Sequence, residues 1–391
     1  MSGSLHFAPP RSGARPDLLI VAGEHSGDQH GARLVEQLRA RRPGLEVAAL
    51  GGPELAAAGA QLLHDLTASS VVGLVEVLKH YGYFKALFAE TLRWIEAYRP
   101  RAVCFVDYPG FNLRLARALH DRGLSRKAGG EIQALFYISP QIWAWKAGRR
   151  FTMAKHLDAI AVIFPFEVEC YADTDLRAEF VGHPFLDAAY HPPVAYDPAG
   201  PVLLLPGSRR QAVGRIFPAM LAAYRHFNDR KAVVLYPSES IREVLEAAGP
   251  PANVELRPTP AEGQLQAAGP MPAAAVLTSS GTMSMHCALA GIPGAVVYRA
   301  NALTYLLGRW LVKVPYLGIA NLLLKEPMYP EFIQGAARPE VLAEQVRACL
   351  YDPERVRATQ DQAARLRDIL KARPSRSAAD WVLNALGGPP D

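Results

Sequence analysis

The clearest candidate for a reactive group is Asp107, which directly follows the apolar run 102–106 and begins the loop 107–112. A carboxylate at the end of a buried strand is well placed to take a proton from an attacking hydroxyl group. The same position also suits an aspartate that only forms a turn or caps a helix. Asn112 ends this loop.

A second polar loop, residues 22–31, follows the apolar run 18–22 and carries Glu24, Ser26 and Asp28 among its glycines. Glycines let the chain turn tightly, and the N–H groups at the start of a following helix favour an anion. The loop lacks the GxGxxG spacing, so dinucleotide binding is not supported. An ordinary turn with a helix cap is the alternative.

Two tryptophans, Trp143 and Trp145, follow the apolar run 133–138 and a proline. Their rings could form an apolar wall for a sugar or an acyl chain, and packing in the core is the alternative. A basic run follows them, made of Lys146, Arg149, Arg150 and Lys155. Such a run is usually a solvated face, but it could also meet phosphate or lipid headgroups.

Two loops in the second half of the chain combine small residues with hydroxyl or guanidinium groups: Gly207, Ser208 and Arg209, and Ser280, Gly281 and Thr282. Backbone N–H donors at a helix start and a forked guanidinium suit a diphosphate. Two such loops in one half predict a bound nucleoside diphosphate. A Walker A motif, GxxxxGK[ST], is absent, which disfavours a P-loop kinase or ATPase.

The elements that must position these loops are short apolar strands alternating with amphipathic helical patterns. Runs rich in Val, Ile and Leu recur at 17–22, 101–106, 133–138, 158–163, 201–205, 232–236, 274–277 and 295–298. Uninterrupted apolar strands suit a parallel sheet buried on both faces, and their alternation with helices predicts a doubly wound α/β fold. Ligands of such sheets bind at the carboxyl ends of the strands, where these loops lie.

Prolines are concentrated in residues 183–201, which we interpret as a linker between two α/β domains. We expect a loose tail over residues 1–16, a first domain over 17–190 and a second over 191–365. A C-terminal helix in 366–391 is expected to pack back toward the first domain.

The composition excludes wholesale disorder, since 50% of the 391 residues are hydrophobic and 20% are charged. The net charge of +5 allows an anionic partner without naming one. Four widely spaced cysteines argue against a disulfide scaffold or a zinc finger.

The uncharged stretch 263–298 contains prolines and a polar turn, so we expect a buried strand, a turn and a helix rather than a membrane span. Residues 71–88 are expected to form a buried helix or, alternatively, an interfacial segment.

Taken together, these motifs resemble the lipid-A-disaccharide synthase family, which are inverting glycosyltransferases (family 19) of the GT-B fold. The resemblance runs from about residue 18 to residue 334. It rests on motifs that stand in the family's order, at 22–28, 73–78, 107–112, 139–145, 164–167, 181–184, 205–209, 280–282 and 330–334.

The resemblance implies two Rossmann-like domains that face a central cleft, with C-terminal helices. The implied reaction joins UDP-2,3-diacylglucosamine to 2,3-diacylglucosamine 1-phosphate, which gives a β-1,6 lipid A disaccharide 1-phosphate and UDP. The enzyme would be cytoplasmic and peripheral on the inner membrane of a Gram-negative bacterium. It would need no cofactor or metal and would bind no nucleic acid, and whether it forms a homodimer stays open.

Residue roles follow from the resemblance as well, with Asp107 as the general base. The implied donor-binding residues are Gly207, Ser208, Arg209, Ser280, Gly281, Thr282, His286, Asn321 and Gln334. The implied acceptor or cleft residues are Glu24, Ser26, Asp28, Asn112, Trp143 and Trp145.

The chain departs from the family's pattern in the donor half. His286 stands where the family usually has a glutamate, and a neutral imidazole cannot supply a fixed negative charge. Ala320 replaces the proline of a Leu-Pro-Asn motif, and Gln211 and Ala212 stand near an expected glutamate. Two alternatives stay open: another GT-B UDP-sugar enzyme, such as a muramyl-lipid N-acetylglucosaminyltransferase or a UDP-N-acetylglucosamine epimerase, and a non-catalytic relative that binds a UDP-sugar or lipid.

Overall fold

The computed structural model describes residues 5–67, 81–186, 192–227, 230–259, 269–301, 305, 314–371 and 374–387. The chain forms two compact units: unit 1 comprises Met1–Pro184 with Ala372–Asp391, and unit 2 comprises Phe185–Lys371. The sequence analysis predicted that the first domain ends at residue 190 and the second at residue 365. The second of these positions falls inside an unbroken helix, Pro353–Leu370, so the chain leaves unit 2 only after that helix ends.

Unit 1 is built on a parallel seven-stranded sheet. Its strands are β1 (Leu18–Ala22), β2 (Val47–Gly51), β3 (Gln61–Asp65), β4 (Ala102–Val106), β5 (Gln133–Tyr137), β6 (Ala159–Val162) and β7 (Arg177–Phe180). They lie in the order β3-β2-β1-β4-β5-β6-β7. Every residue of β1, β2 and β4 is buried, which explains their uninterrupted apolar sequences.

The helices of unit 1 follow the strands in alternation, as the sequence predicted. They are α1 (His25–Arg41), α2 (Pro53–Ala57), α3 (Tyr81–Tyr98), α4 (Pro109–Asp121) and α5 (Arg149–His156). Pro109 begins α4, where a fixed φ and a missing N–H suit the first helical position. Helix α4 therefore starts two residues after Asp107.

The segment predicted as a buried or interfacial helix, 71–88, lies only partly within the described residues, and the motif 73–78 lies outside them. In the described part, α3 places Leu87 and Trp94 in the core of unit 1, with Phe84 and Phe88 packed against it. Within the described ranges, no helix is both long enough and apolar enough to cross a membrane.

Unit 2 repeats the same architecture with a parallel six-stranded sheet in the order β11-β10-β9-β13-β14-β15, beside a separate pair, β8 and β12. Its strands are β8 (Val194–Tyr196), β9 (Val202–Leu205), β10 (Ala232–Tyr236), β11 (Val254–Pro258), β12 (Met271–Ala273), β13 (Ala275–Thr278), β14 (Gly294–Tyr298) and β15 (Glu331–Ile333). Its helices are α6 (Arg210–Tyr224), α7 (Glu239–Ala247), α8 (Thr282–Leu289), α9 (Ile319–Leu324), α10 (Pro339–Tyr351) and α11 (Pro353–Leu370). In the uncharged stretch 263–298, strand β13 leads through a polar turn into α8, as expected.

The N-terminal segment differs from the loose tail expected over residues 1–16. The side chain of Phe7 is buried in the core of unit 1, and its backbone N–H donates to Glu90 Oε1 at 2.7 Å. The indole N–H of Trp94 donates to the carbonyl of Ala8 at 2.8 Å. One aromatic anchor and two hydrogen bonds therefore fix a segment whose polar, proline-rich composition indicated disorder.

The last helix, α12 (Ala378–Ala385), belongs to unit 1 and lies against α1. Its start is capped by Ser377, whose hydroxyl accepts from the N–H of Asp380 at 3.1 Å. Asp380 in turn pairs with Arg41 of α1 at 2.9 Å. The end of the chain thus adds a helix to the N-terminal unit.

Candidate active site

Both sheets reverse their strand order at one place, between β1 and β4 in unit 1 and between β9 and β13 in unit 2. Doubly wound sheets bind ligands in the crevice outside the carboxyl ends of the strands at such a reversal. The loops that begin with Gly23 and Asp107 meet at the first reversal, because Ala22 lies beside Val106. The loops after Leu205 and Thr278 meet at the second.

Asp107 lies half-buried at the tip of β4, where its N–H donates to the carbonyl of Tyr137 at 3.0 Å. Asp107 and Tyr108 both have φ = 46°, a left-handed conformation that costs free energy for residues other than glycine. Two consecutive residues of this kind are held there only if their surroundings impose it, and such strain collects at functional sites.

Asn112 supplies much of that constraint. Its Nδ2 donates to the carbonyls of Val21 at 3.1 Å, Val106 at 3.4 Å and Asp107 at 2.8 Å. The side chain therefore joins the ends of β1 and β4 and fixes the backbone of Asp107. Asn112 is fully buried, so the expectation that it contacts the acceptor is corrected: it positions the loop.

Gly23 is required at the end of β1 by the ring of Tyr108. A Cβ atom at Gly23 would lie 2.0 Å from Cδ1 of that ring, which real structures do not tolerate. Burial, with a further contribution from the Glu24 carboxylate, raises the pKa of Tyr108 above its usual value. Glu24 is half-buried and close enough to Tyr108 to affect its pKa, so the first two loops approach each other here.

Asp28, in the first of these loops, bonds to a different segment of the chain. Its carboxylate is fully buried and accepts from the N–H groups of Gly52, Glu54 and Leu55 at 2.8, 3.0 and 3.2 Å. It caps α2 from a neighbouring segment, so its expected role at the acceptor is corrected to a structural one. Burial raises the pKa of Asp28, and the three hydrogen bonds oppose that effect. Ser26, in the first turn of α1, remains half-buried.

The two tryptophans have different environments. Trp143 is half-buried, stacks edge-to-face on Phe166 and donates its indole N–H to Glu167 Oε1 at 3.1 Å. Burial raises the pKa of Glu167 to about 7. Trp145 is exposed instead, with Lys146 Nζ 4.5 Å from its ring centroid. The sequence analysis placed Glu167 in a motif but gave it no role. Its hydrogen-bond partner, Trp143, lies 24 residues away in the chain, so the pairing is not visible in the local sequence.

In unit 2 the two loops predicted to bind a diphosphate, after Leu205 and after Thr278, lie side by side. Ser279 donates its N–H to the carbonyl of Leu205 at 2.8 Å. Gly207 has φ = 113°, which favours glycine, and a Cβ there would lie 3.1 Å from Ser279 Oγ. Helices α6 and α8 begin beside these loops, at Arg210 and Thr282.

The predicted donor residues of these loops are accessible: Ser208, Arg209, Gly281 and Thr282 are exposed, and Gly207 and Ser280 are half-buried. Two helix N-termini, hydroxyl groups and a guanidinium thus surround the reversal point of the sheet. The positive ends of the helix dipoles and their N–H donors make this a place for a phosphate or diphosphate group.

Of the three other predicted donor residues, Asn321 and His286 are buried and Gln334 is half-buried. The amide of Asn321 pairs with Tyr329 and Glu331; its Nδ2 lies 2.7 Å from the carbonyl of Tyr329. Gln334 forms two hydrogen bonds with the backbone of Ala300, of 2.9 and 3.0 Å. Both side chains brace the loops after β14 and around β15. For the buried Asn321 this corrects the expected contact with the donor to a supporting role, and for the half-buried Gln334 that contact stays a prediction. His286 is buried against the ring of Phe185, 4.1 Å between centroids.

Two α/β units, each with a parallel sheet that reverses its strand order at one place, are the architecture of the GT-B fold. Solved structures have the same fold at low identity. A protein assigned as a UDP-N-acetylglucosamine 2-epimerase from Listeria monocytogenes is 13% identical with a TM-score of 0.59, covering 95% of this chain and 94% of that one. UGT89C1 from Arabidopsis thaliana is 12% identical with a TM-score of 0.58, covering 95% and 99%.

The chain belongs to the lipid-A-disaccharide synthetase family, whose sequence model matches residues 18–384. The lipid-A-disaccharide synthase of Geobacter metallireducens is 35% identical over 392 aligned positions, which cover 95% of this chain and 97% of that protein. Because epimerases and glycosyltransferases share the fold, this family membership, rather than the fold, distinguishes between them.

Proposed function

We propose that this enzyme joins UDP-2,3-diacylglucosamine to the 6-hydroxyl of 2,3-diacylglucosamine 1-phosphate, releasing UDP and a β-1,6-linked disaccharide 1-phosphate. Membership of the lipid-A-disaccharide synthetase family supports these substrates. The observation that carries the mechanism is the placement of Asp107 at the reversal point of unit 1, on a backbone that Asn112 holds.

The proposed step is one in-line displacement at the anomeric carbon of the donor. The acceptor oxygen forms the new bond to that carbon and loses its proton to the Asp107 carboxylate. The bond from the carbon to the UDP oxygen breaks on the opposite face, which inverts the centre. The bonding electrons leave with the diphosphate, so groups that bind its growing negative charge lower the barrier.

Unit 2 is proposed to bind that diphosphate. Exposed Ser208, Arg209 and Thr282 and the first turns of α6 and α8 offer hydroxyl, guanidinium and backbone N–H donors. His286 lies behind this surface, against Phe185. We propose that it shapes the donor site by packing and hydrogen bonding, because a neutral imidazole lacks the charge of the family's glutamate.

The test of the proposed function is a coupled assay of UDP release by the purified chain. We expect release only when the acylated donor and the acylated acceptor are both present, together with a disaccharide phosphate detected by mass spectrometry. UDP-N-acetylglucosamine with the same acceptor is the matched control and should release little. Epimerised sugar without acceptor, or UDP binding without release, would support the two alternatives instead.

We further propose that the enzyme acts on the cytoplasmic face of the inner membrane and contacts it through an aromatic patch defined as Trp145, Phe151 and Phe166. Their exposed fractions are 40, 53 and 39%, and Lys146, Arg149 and Arg150 lie over the first two rings. Exposed rings beside cationic groups suit an anionic lipid surface, where each cation contributes about 1 kcal/mol. Arg150 already pairs with Asp173 at 2.6 and 2.7 Å, so Lys146 and Arg149 supply the charge.

The membrane proposal predicts that the chain sediments with phosphatidylglycerol vesicles and much less with phosphatidylcholine vesicles. Replacing Trp145 and Phe151 together with serine should lower the bound fraction several-fold, because apolar area buried in the interface is lost. Tyr351→Ser is the matched control, since Tyr351 in unit 2 is 57% exposed. Equal loss in the control, or no loss in the double variant, would contradict the patch.

A further inference from the structure

Three side chains capable of binding a metal ion come together at the C-terminal ends of α4 and α5. His120 and Asp121 are the last two residues of α4, and His156 is the last residue of α5. One ligand atom from each lies within 4.8 Å of those of the other two. Neither the sequence motifs nor the proposed reaction gives these residues a role.

The geometry is close to that of a transition-metal site. The two imidazole rings lie 5.0 Å apart and nearly perpendicular, at 72°. His120 Nδ1 lies 3.5 Å from Asp121 Oδ1. Ligand atoms of a tetrahedral zinc ion, each about 2.0–2.1 Å from the metal, are roughly 3.3 Å from one another. Ligand atoms that lie within 4.8 Å of one another must therefore approach by at most about 1.5 Å to bind one ion.

His120 provides a second observation. Its Nδ1 is buried and makes no hydrogen bond within the described part of the chain. Buried polar side-chain atoms almost always have a partner, so each exception needs an explanation. The carboxylate oxygen beside it, Asp121 Oδ1, lies 3.5 Å away, and a bound cation would give this nitrogen a closer partner.

The surrounding charges allow a cation here. The negative ends of two helix dipoles converge on the cluster, which favours positive charge. Arg117 now pairs with Asp121 at 3.3 Å, but both side chains are largely exposed and such pairs are weak. Lys155 is adjacent to His156 in sequence. Lys155 and Arg117 are both positively charged, and their repulsion opposes the binding of a cation.

We propose that His120, Asp121 and His156 bind one divalent transition-metal ion, of which Zn²⁺ is the best fit, with water completing its coordination. Two nitrogens and one carboxylate oxygen are a common zinc ligand set. The ion would tie together two helices whose other ends begin near Asp107 and Trp145. Since the cluster lies at the far ends of those helices, its role is to stabilise unit 1, and the proposal does not depend on the proposed reaction.

The test uses the full chain freed of any polyhistidine tag, stripped with EDTA and dialysed against a low-micromolar ZnCl₂ solution. We expect one zinc per chain by elemental mass spectrometry, and a thermal midpoint several degrees higher than that of the stripped protein. Cobalt(II) should give the visible absorption of a low-symmetry site with nitrogen ligands.

His156→Ala and the exposed Asp121→Asn should each weaken zinc binding about 100-fold and abolish the thermal shift. Asp121→Asn keeps the test valid if the buried histidine variant folds poorly. His226→Ala is the matched control, because His226 also lies near a carboxylate, Glu340, at 4.0 Å, but in unit 2. No zinc above the level of a stripped blank, or full binding by both cluster variants, would overturn the proposal.

Discussion

Replacing Asp107 with asparagine lowers the rate of UDP release about 1,000-fold at saturating substrates, because a positioned general base contributes roughly 10²–10⁴-fold. The amide keeps the size of the carboxylate but cannot take the proton of the acceptor hydroxyl. The backbone at this position is held by hydrogen bonds to the Asn112 side chain and the Tyr137 carbonyl, which the substitution leaves in place. We therefore expect an unchanged thermal midpoint and nearly unchanged KM for both substrates.

Asp28→Asn is the informative comparison, because Asp28 lies in the neighbouring loop and its carboxylate only caps α2. The loss of that cap should lower the free energy of unfolding by about 1 kcal/mol while the folded enzyme keeps its kcat. Parallel measurements of kcat and thermal midpoint thus separate the two carboxylates. An Asp107→Asn enzyme with close to normal kcat would show that another group removes the proton.

The positions of the reactive loops could be predicted because they depend on local sequence. Apolar runs predicted most of the buried strands, although the fully buried β2 was missed, and in a doubly wound sheet the loops after such strands lie at the ligand edge. This argument placed Asp107 after β4 and Arg209 after β9. Edge strands such as β3, β7 and β11 were missed, because they are only partly buried and carry polar or charged residues.

The direction in which each polar side chain of a loop points could not be predicted. Asp28, Asn112 and Gln334 were taken as ligand contacts, yet their partners include backbone groups of Gly52, Val21 and Ala300, between 24 and 91 residues away. Such partners exist only once the sheet has formed. A buried amide or carboxylate that satisfies backbone groups and one that faces a ligand have the same sequence pattern.

Gly23→Ala has the second large effect that we expect, a loss of about 100-fold in kcat/KM. The added Cβ would lie 2.0 Å from the Tyr108 ring, so the ring and the strained backbone that carries it must move. Asp107 directly precedes Tyr108, and a displacement of about 1 Å of a catalytic group can cost roughly 10²-fold. The overpacking should also lower the free energy of unfolding by about 1–3 kcal/mol.

Gly110→Ala is the matched control in the same region, since a Cβ at Gly110 would meet no atom within 4 Å. Gly110 lies in the first turn of α4, where alanine is a better helix former than glycine. We expect full activity and equal or higher stability from this variant. The size of the loss in Gly23→Ala thus measures how tightly the Tyr108 ring couples the end of β1 to Asp107. A Gly23→Ala enzyme as active as Gly110→Ala would mean that the ring can move without Asp107, and that the hydrogen bonds to Asn112 and Tyr137 are enough to hold the loop in place.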